Sequence, residues 1–259
     1  KVVIIDGITS FTGGINVDDR YINNGKYPTY WRDTHIKLEG SAVKTLQFLF
    51  ILNWQFVSGQ PWRPTEKHFP KTEPSFGSSY VQVNASGPDW DLASIMDSFY
   101  LAINSARNSL KIATPYFIPN ESIINGITTS AKSGVSVELM IPYASDSWIV
   151  QAASMSYMKL LLEAGVKVYL YKKGFLHSKT LTVDGKLAIV GTANMDYRSF
   201  DLNHEVNTYI YDPAIAIQLN QNFETDKADC EELHLSEWKK RSISKKLLES
   251  VCRLLAPLL

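Results

Sequence analysis

Residues 177–184 read His-Ser-Lys-Thr-Leu-Thr-Val-Asp, and three of them are suited to work on a phosphoryl group. A lysine gives a fixed positive charge for a phosphoryl oxygen, and an imidazole titrates near neutrality, which suits nucleophilic or acid–base work. On an extended strand, alternation sends His177 and Lys179 to the same face. Asp184, beyond the apolar run, is placed to orient a histidine of this segment or of a second copy. Further on, Asn194 and Ser199 follow Gly191, where a loop can offer hydrogen-bond donors to an oxyanion. An isolated His-x-Lys reads as an idle strand edge. The longer pattern, His-x-Lys-x4-Asp followed by Gly-x-x-Asn, carries more weight because it occurs twice.

The second occurrence opens the chain. Setting Lys1 against Lys179 fixes an offset of 178, and at that offset Asp6 meets Asp184, Gly7 meets Gly185 and Gly13 meets Gly191. The register continues through Asn16 with Asn194, Asp18 with Asp196 and Arg20 with Arg198, seven identities in 20 ungapped positions. Such self-similarity is the signature of a duplicated unit. His177 stands two residues before Lys179, so its counterpart is expected two residues before Lys1. The sequence is therefore expected to be a fragment cut inside the first copy, with the missing N-terminal part of the same polypeptide completing a site built for two.

These residues resemble the phospholipase D superfamily, whose motif is His-x-Lys-x4-Asp with a downstream Gly-x-x-Asn. The second copy is complete in His177, Lys179, Asp184, Gly191 and Asn194, and the first is represented by Lys1, Asp6, Gly13 and Asn16. The segments FTGGIN (11–16), YWRDTHIKLEG (30–40), TPYFIPNESI (114–123), GFLHSKTLTVDG (174–185) and GTANMDYRSFDLNHEVN (191–207) are similar to the bacterial cardiolipin synthases of the phospholipase D type. The resemblance implies a phosphohistidine intermediate, phosphatidylglycerol as substrate, and cardiolipin and glycerol as products. It implies His177, Lys179, Asp184, Lys1 and Asp6 as catalytic residues, with Asn194, Asn16, Ser199 and Glu205 binding substrate or phosphate. No metal or other cofactor is implied, because the lysines provide the positive charge. The spacing leaves open which histidine attacks; the resemblance favours the upstream one and makes His177 the leaving-group acid. His204 departs from the aromatic residue expected in LNxEVN.

The fold implied is α/β, with duplicated halves and a mixed, largely parallel sheet flanked by helices. Residues 1–60 form the remainder of the first half, 61–86 a proline-rich linker, 87–238 the second half and 239–259 a C-terminal amphipathic basic helix. Ala42–Val57 is too interrupted by Lys44, Gln47, Asn53 and Gln55 to span a bilayer and reads as a buried amphipathic helix. Pro61, Pro64, Pro70 and Pro74 exclude a regular element. Asp91 reads as the cap of a helix with Leu92, Ile95, Phe99, Ala102 and Ile103 on one face. Strands follow at 110–114, 135–141 and 166–171, with helices at 120–131 and 150–164 between them. Alternating helices and strands suggest a largely parallel sheet whose functional groups collect at strand ends. Tyr30, Trp31, Tyr116 and Phe117 flank the motif segments, suited either to a membrane interface or to core packing.

Composition narrows the partners. Lys+Arg and Asp+Glu each number 26, giving a formal net charge of zero, whereas proteins that neutralise long nucleic acid carry a basic excess. Nucleic acid is therefore disfavoured as a partner. Cys230 and Cys252 lack metal-ligand spacing and read as thiols of a reducing compartment. In the C-terminal segment, Ile243, Leu247, Leu248, Val251, Leu254, Leu255 and Leu258 share a face beside Lys239, Lys240, Arg241, Lys245, Lys246 and Arg253. That pattern fits a helix on an anionic membrane surface or one docked on the core. The location expected is the bacterial cytoplasmic membrane, with the catalytic part on the cytoplasmic side. A hydrolytic phospholipase or nuclease, and a lipid-binding fragment without activity, are the alternatives.

Overall fold

The computed structural model describes residues 1–71, 77–89 and 94–258. The chain opens with an antiparallel hairpin of β1 (Val2–Ile5) and β2 (Thr9–Gly13). Two short strands follow, β3 (Tyr30–Arg32) and β4 (His35–Glu39), and β4 pairs with β2 to complete a three-stranded sheet. Helix α1 (Ala42–Ser58) lies across this sheet and buries Val43, Leu46, Gln47 and Ile51. Gly59 ends it in a left-handed conformation, which a residue without Cβ adopts readily.

The expectation for 42–57 holds for the helix but not for its burial. Phe48, Phe50, Leu52, Trp54, Phe56 and Val57 are all exposed. Among the described residues no helix is long and apolar enough to cross a membrane.

The second half begins at β5 (Tyr80–Ser86), which corrects the linker expected over 61–86. Its last seven residues pair with a strand at 205–211, because alternating valines give them a face to bury. Then come α2 (Ser94–Ser105), β6 (Ser109–Ala113), β7 (Phe117–Ile118), α3 (Glu121–Lys132) and β8 (Ser136–Pro142). Ile95, Phe99, Ala102 and Ile103 are buried on α2 as the spacing requires; the Asp91 cap, Leu92 and Pro74 lie outside the described residues. Asn120 caps α3, its side chain accepting from the Ile123 amide at 3.0 Å. The single helix expected over 150–164 is two, α4 (Trp148–Ser156) and α5 (Met158–Glu163), broken at Tyr157, whose buried ring packs edge-on against Phe117.

Strands β9 (Lys167–Tyr171), β10 (Gly174–Leu176), β11 (Thr180–Val183), β12 (Leu187–Gly191), β13 (Met195–Asp196) and β14 (Glu205–Tyr211) follow, then α6 (Pro213–Lys227), β15 (Cys230–Glu232), α7 (Leu235–Lys239) and α8 (Ile243–Leu254). The main sheet runs β15-β9-β8-β6-β11-β12-β14-β5. It is mixed and flanked by helices, as expected, but largely antiparallel. Only β6–β8 and β8–β9 are parallel, because β11 reverses into β12 through the tight turn at 184–186 and the longer 192–204 connection brings β14 back antiparallel to β12. The core lies between this sheet and α2, α3, α4 and α5, around Ile95, Phe117, Ile123, Leu139 and Leu181. Phe117 is therefore a core residue, with no exposed surface.

Candidate active site

The repeat is exact in the backbone. The offset of 178 carries β1 onto β11 and β2 onto β12 residue for residue. Both hairpins turn through an aspartate and a glycine with positive φ, at 55° and 67° for Asp6 and Gly7 and at 53° and 62° for Asp184 and Gly185. Each turn closes with a backbone hydrogen bond, Ile8 N–H donating to the Ile5 carbonyl at 3.1 Å and Lys186 N–H to the Val183 carbonyl at 2.9 Å. Aspartate tolerates this left-handed region better than most residues, and glycine enters it freely.

Asp184 does not orient a histidine. It sits at the far end of β11 from His177, and its carboxylate accepts from the amides of Arg107, Asn108 and Ser109 at 2.7 to 3.2 Å. Burial alone would raise this carboxyl, but the three amide donors hold it below its ordinary range. Asp184 thus fixes the start of β6 to the motif hairpin. Asp6 takes the same turn in the first copy, away from the reacting groups.

His177 and Lys179 occupy the bend between β10 and β11 rather than one continuous strand. What brings them into the site is a cross-half pairing. Strand β10 runs parallel to β3, with Gly174, Phe175 and Leu176 opposite Tyr30, Trp31 and Arg32. A Cβ on Gly174 would lie 2.0 Å from the Tyr30 carbonyl, so the close approach requires glycine. The ladder continues as His177 N–H donates to the Arg32 carbonyl at 2.7 Å, and Arg32 is itself paired with Asp226 of α6 at 2.8 Å.

The next residue of the first half is Asp33, which the sequence reading did not single out. Its carboxylate lies 2.7 Å from His177 Nδ1, and its side chain is 2% exposed. A carboxylate accepting at Nδ1 sets the tautomer and leaves Nε2 for chemistry. The Tyr21 hydroxyl approaches the same nitrogen at 3.1 Å and accepts from Asn16 Nδ2 at 2.9 Å. Asn16 therefore reaches His177 through Tyr21. Tyr21, Trp31 and Phe175 surround the imidazole with ring centroids 5.5 to 5.9 Å away. Burial pushes His177 below its ordinary pKa; the Asp33 bond opposes this, and Lys179 adds to it.

Lys179 is 5% exposed, and its ammonium donates to the His177 carbonyl at 2.6 Å. Burial lowers it to about 7, against the pull of Asp33 and with the push of Lys1. Lys1 acts electrostatically on His177, Lys179 and Glu205, so the two halves converge on one positive site. Burial makes the charged form of Lys179 costly, and an anion bound beside it would offset that cost.

Glu205 sits on the other side, bonded by the Thr192 hydroxyl and raised by burial. The register makes Asp33 and Glu205 counterparts. Gly14 N–H donates to the Thr34 carbonyl at 3.0 Å, and Thr192 N–H to the Val206 carbonyl at 2.9 Å. Gly14 and Thr192 correspond at the offset of 178, so Thr34 corresponds to Val206 and Asp33 to Glu205. The offset has dropped to 172 by then, because the second copy makes its connection in six fewer residues, 14 from Thr192 to Val206 against 20 from Gly14 to Thr34. Held at 178, Asp33 meets Tyr211, and the match is invisible. Allowing a length difference between the motif loop and the next strand would have found it.

Asn194 Nδ2 donates to Asp196 at 3.0 Å, and its backbone amide to Ser199 Oγ at 3.1 Å. Its Oδ1 is buried and unpartnered. Ser199 is wholly buried and holds the loop, rather than facing the histidine. His204 is half exposed, 3.5 Å from Asp89. No group of three or more acidic, histidine or cysteine side chains suited to a metal occurs among the described residues.

Residues 100–227 match the family described as cardiolipin synthase, PLD-like domain. Among curated proteins, the whole chain is 44% identical to cardiolipin synthase 2 of Bacillus anthracis, covering 50% of it. It is also 44% identical to the probable cardiolipin synthase YwiE of Bacillus subtilis (strain 168), covering 51% of it. The chain thus spans about half the length of the curated relatives it matches. Among solved structures, a phosphatidylserine synthase from Haemophilus influenzae Rd KW20 superposes on all of this chain and 70% of its own, with TM-score 0.75 and 18% identity. Nuc, a phospholipase D family member from Salmonella typhimurium, covers 61% of this chain with TM-score 0.52 and 20% identity.

Proposed function

We infer that this chain, which belongs to the phospholipase D superfamily, is part of a phosphatidyltransferase joining two phosphatidylglycerol molecules into cardiolipin with release of glycerol. The observation that carries this is the buried pair of Lys179 and the Asp33-held His177, with exposed Lys1 of the first copy acting on both, an arrangement able to receive a phosphodiester anion.

In this reading the histidine two residues before Lys1 attacks phosphorus, forming a P–N bond as the P–O bond to the first glycerol breaks. His177, as the imidazolium with Nδ1–H on Asp33, gives its Nε2 proton to the departing glycerol alkoxide, and the neutral Nε2 then takes a proton from the incoming hydroxyl of the second phosphatidylglycerol. That oxygen bonds to phosphorus and the P–N bond breaks, regenerating the upstream histidine. Lys1 and Lys179 hold the non-bridging oxygens, and Asn16 and Asn194 lie on the loops that follow each motif. Glu205 would hold the upstream histidine as Asp33 holds His177. Asp184 and Asp6 shape their hairpins.

The partner surface is an anionic cytoplasmic-side membrane. Helix α8 packs on α4 through Cys252, with Arg241 bonded to buried Glu249, and leaves Ile243, Leu247, Val251, Leu254 and Leu258 more than half exposed. The leucine face is therefore free for lipid, beside exposed lysines.

The test is the full-length protein on phosphatidylglycerol vesicles. Cardiolipin with glycerol supports transfer, phosphatidic acid indicates a hydrolase, and no turnover indicates a binding fragment. His177→Ala should lower kcat at least about 10³-fold, as loss of the leaving-group acid requires.

A further inference from the structure

Helix α1 and helix α6 occupy the same place in the two halves, each following the strand that pairs with a motif hairpin, β4 and β14 respectively. In the second half α6 buries Ala216 and Phe223, and Phe223 packs edge-on against Tyr169 of β9. Its outward residues Gln218, Gln221, Asn222 and Thr225 are polar and exposed. Helix α1 has no such polar side. From Phe48 to Val57 only Asn53 and Gln55 are polar, and its exposed Phe48, Phe50, Leu52, Trp54, Phe56 and Val57 are spread around the helix. From Phe48 onward most of the exposed surface of α1 is apolar despite Asn53, and such a surface belongs in an apolar surrounding. Strands of the first half could cover only its sheet side, as they do for α6.

A groove of about 540 Å³, within the range of sites that take small ligands, runs along α1. Lys1, Thr192, Glu205, Asp89 and His204 form its polar end, beside the buried His177 and Lys179 on which Lys1 acts, and Leu49, Leu52 and Phe56 line its apolar wall. A phosphodiester held by the lysines has its charge at that end, and the rest of a phospholipid is hydrocarbon. The charge and the apolar wall thus match the two ends of one molecule.

We propose that this groove holds an acyl chain of the phospholipid whose phosphate lies at Lys1 and Lys179, and that the outward face of α1 lies in the hydrocarbon of the bilayer. The inference rests on the phosphatidyl-transfer reading of the same site. It makes α1 a chain-length reader that the motifs do not encode.

The experiment uses the full-length protein with dihexanoyl- or dioleoyl-phosphatidylglycerol in the same detergent micelle. The readout is the ratio of kcat/KM for the long-chain over the short-chain lipid. Leu52→Trp, which fills the groove from its open side, and Phe56→Asp, which charges its wall, should each lower that ratio at least about tenfold. An unchanged ratio in both variants overturns the proposal. If the ratio is unchanged and both variants lower the unfolding midpoint, the groove is instead covered by the preceding part of the polypeptide. A parent protein inactive on both lipids fails the transfer reading itself, and the groove assignment falls with it.

Discussion

The two motif hairpins share one backbone and differ in what surrounds them. In β11, Leu181 and Val183 are 0% and 4% exposed, because β6 and β12 flank the strand on both edges. In β1, Val3 and Ile5 are 49% and 48% exposed, with β2 paired on one edge. The turn geometry is nonetheless the same to within a few degrees. The hairpin is thus a local solution, set by Asp-Gly turn chemistry, whereas burial is supplied by neighbours.

The carboxylates that flank the hairpins differ more instructively. Asp33 sits against Gly14, where an added Cβ would lie 2.0 Å from its carboxylate oxygen. Glu205 sits against Thr192, whose hydroxyl donates to it. The first copy uses a shorter acid and an empty wall; the second uses a longer acid and a hydrogen-bonding wall.

If the two acids are counterparts, removing either charge should have a similar effect. Asp33→Asn and Glu205→Gln in the full-length protein should each lower kcat by about 10²–10³, the order of a lost acid–base function. A loss confined to one of them would break the equivalence. Exchanging the walls is the next largest effect. Gly14→Thr, which gives the first copy the second copy's residue, should displace Asp33 from His177. Overpacking of this kind costs about 1–3 kcal/mol, read by denaturant unfolding, and should lower kcat about tenfold or more.

Asp184→Ala leaves the amides of Arg107, Asn108 and Ser109 without their acceptor and, because two of them can bond water instead, should destabilise by about 1 kcal/mol, with kcat reduced less than tenfold below the unfolding transition. Asp6→Ala in this chain should cost less, since among the described residues no amide donates to the Asp6 carboxylate as three do to Asp184. A large kcat loss at full stability for Asp184→Ala would restore the orienting role first expected of it. The smallest effect is one of slope. Lys179 is depressed to about 7 when folded and titrates near 10.4 when unfolded. Between these values the unfolded state binds more protons, so stability without an anion should rise with pH from about 7 to 10. Lys179→Met should abolish that rise, as urea unfolding at pH 7 and pH 9.5 would show.

Much of the site was legible because the duplication made each copy a check on the other. His177, Lys179 and Lys1 were found that way, and so was the mixed α/β fold with flanking helices. The parallel share of the sheet was overestimated, since helix–strand alternation says nothing about the hairpins β11, β12 and β14. Asp184 was misjudged because residue type suggested catalysis, while its partners, three amides of another strand's start, are set by the sheet register.

The sequence by itself determined the paired motifs, the turn residues and the helix caps, all of which depend on neighbours within a few positions. Only the tertiary structure decided that Asp33 holds His177, that Ser199 is buried, and that α1 faces outward with its phenylalanines. Those depend on β3 meeting β10 across 144 residues of chain, from Tyr30 to Gly174, and on α1 meeting β5. Local propensity reaches only a few residues along the chain, while contacts made by folding depend on which surfaces bury each other.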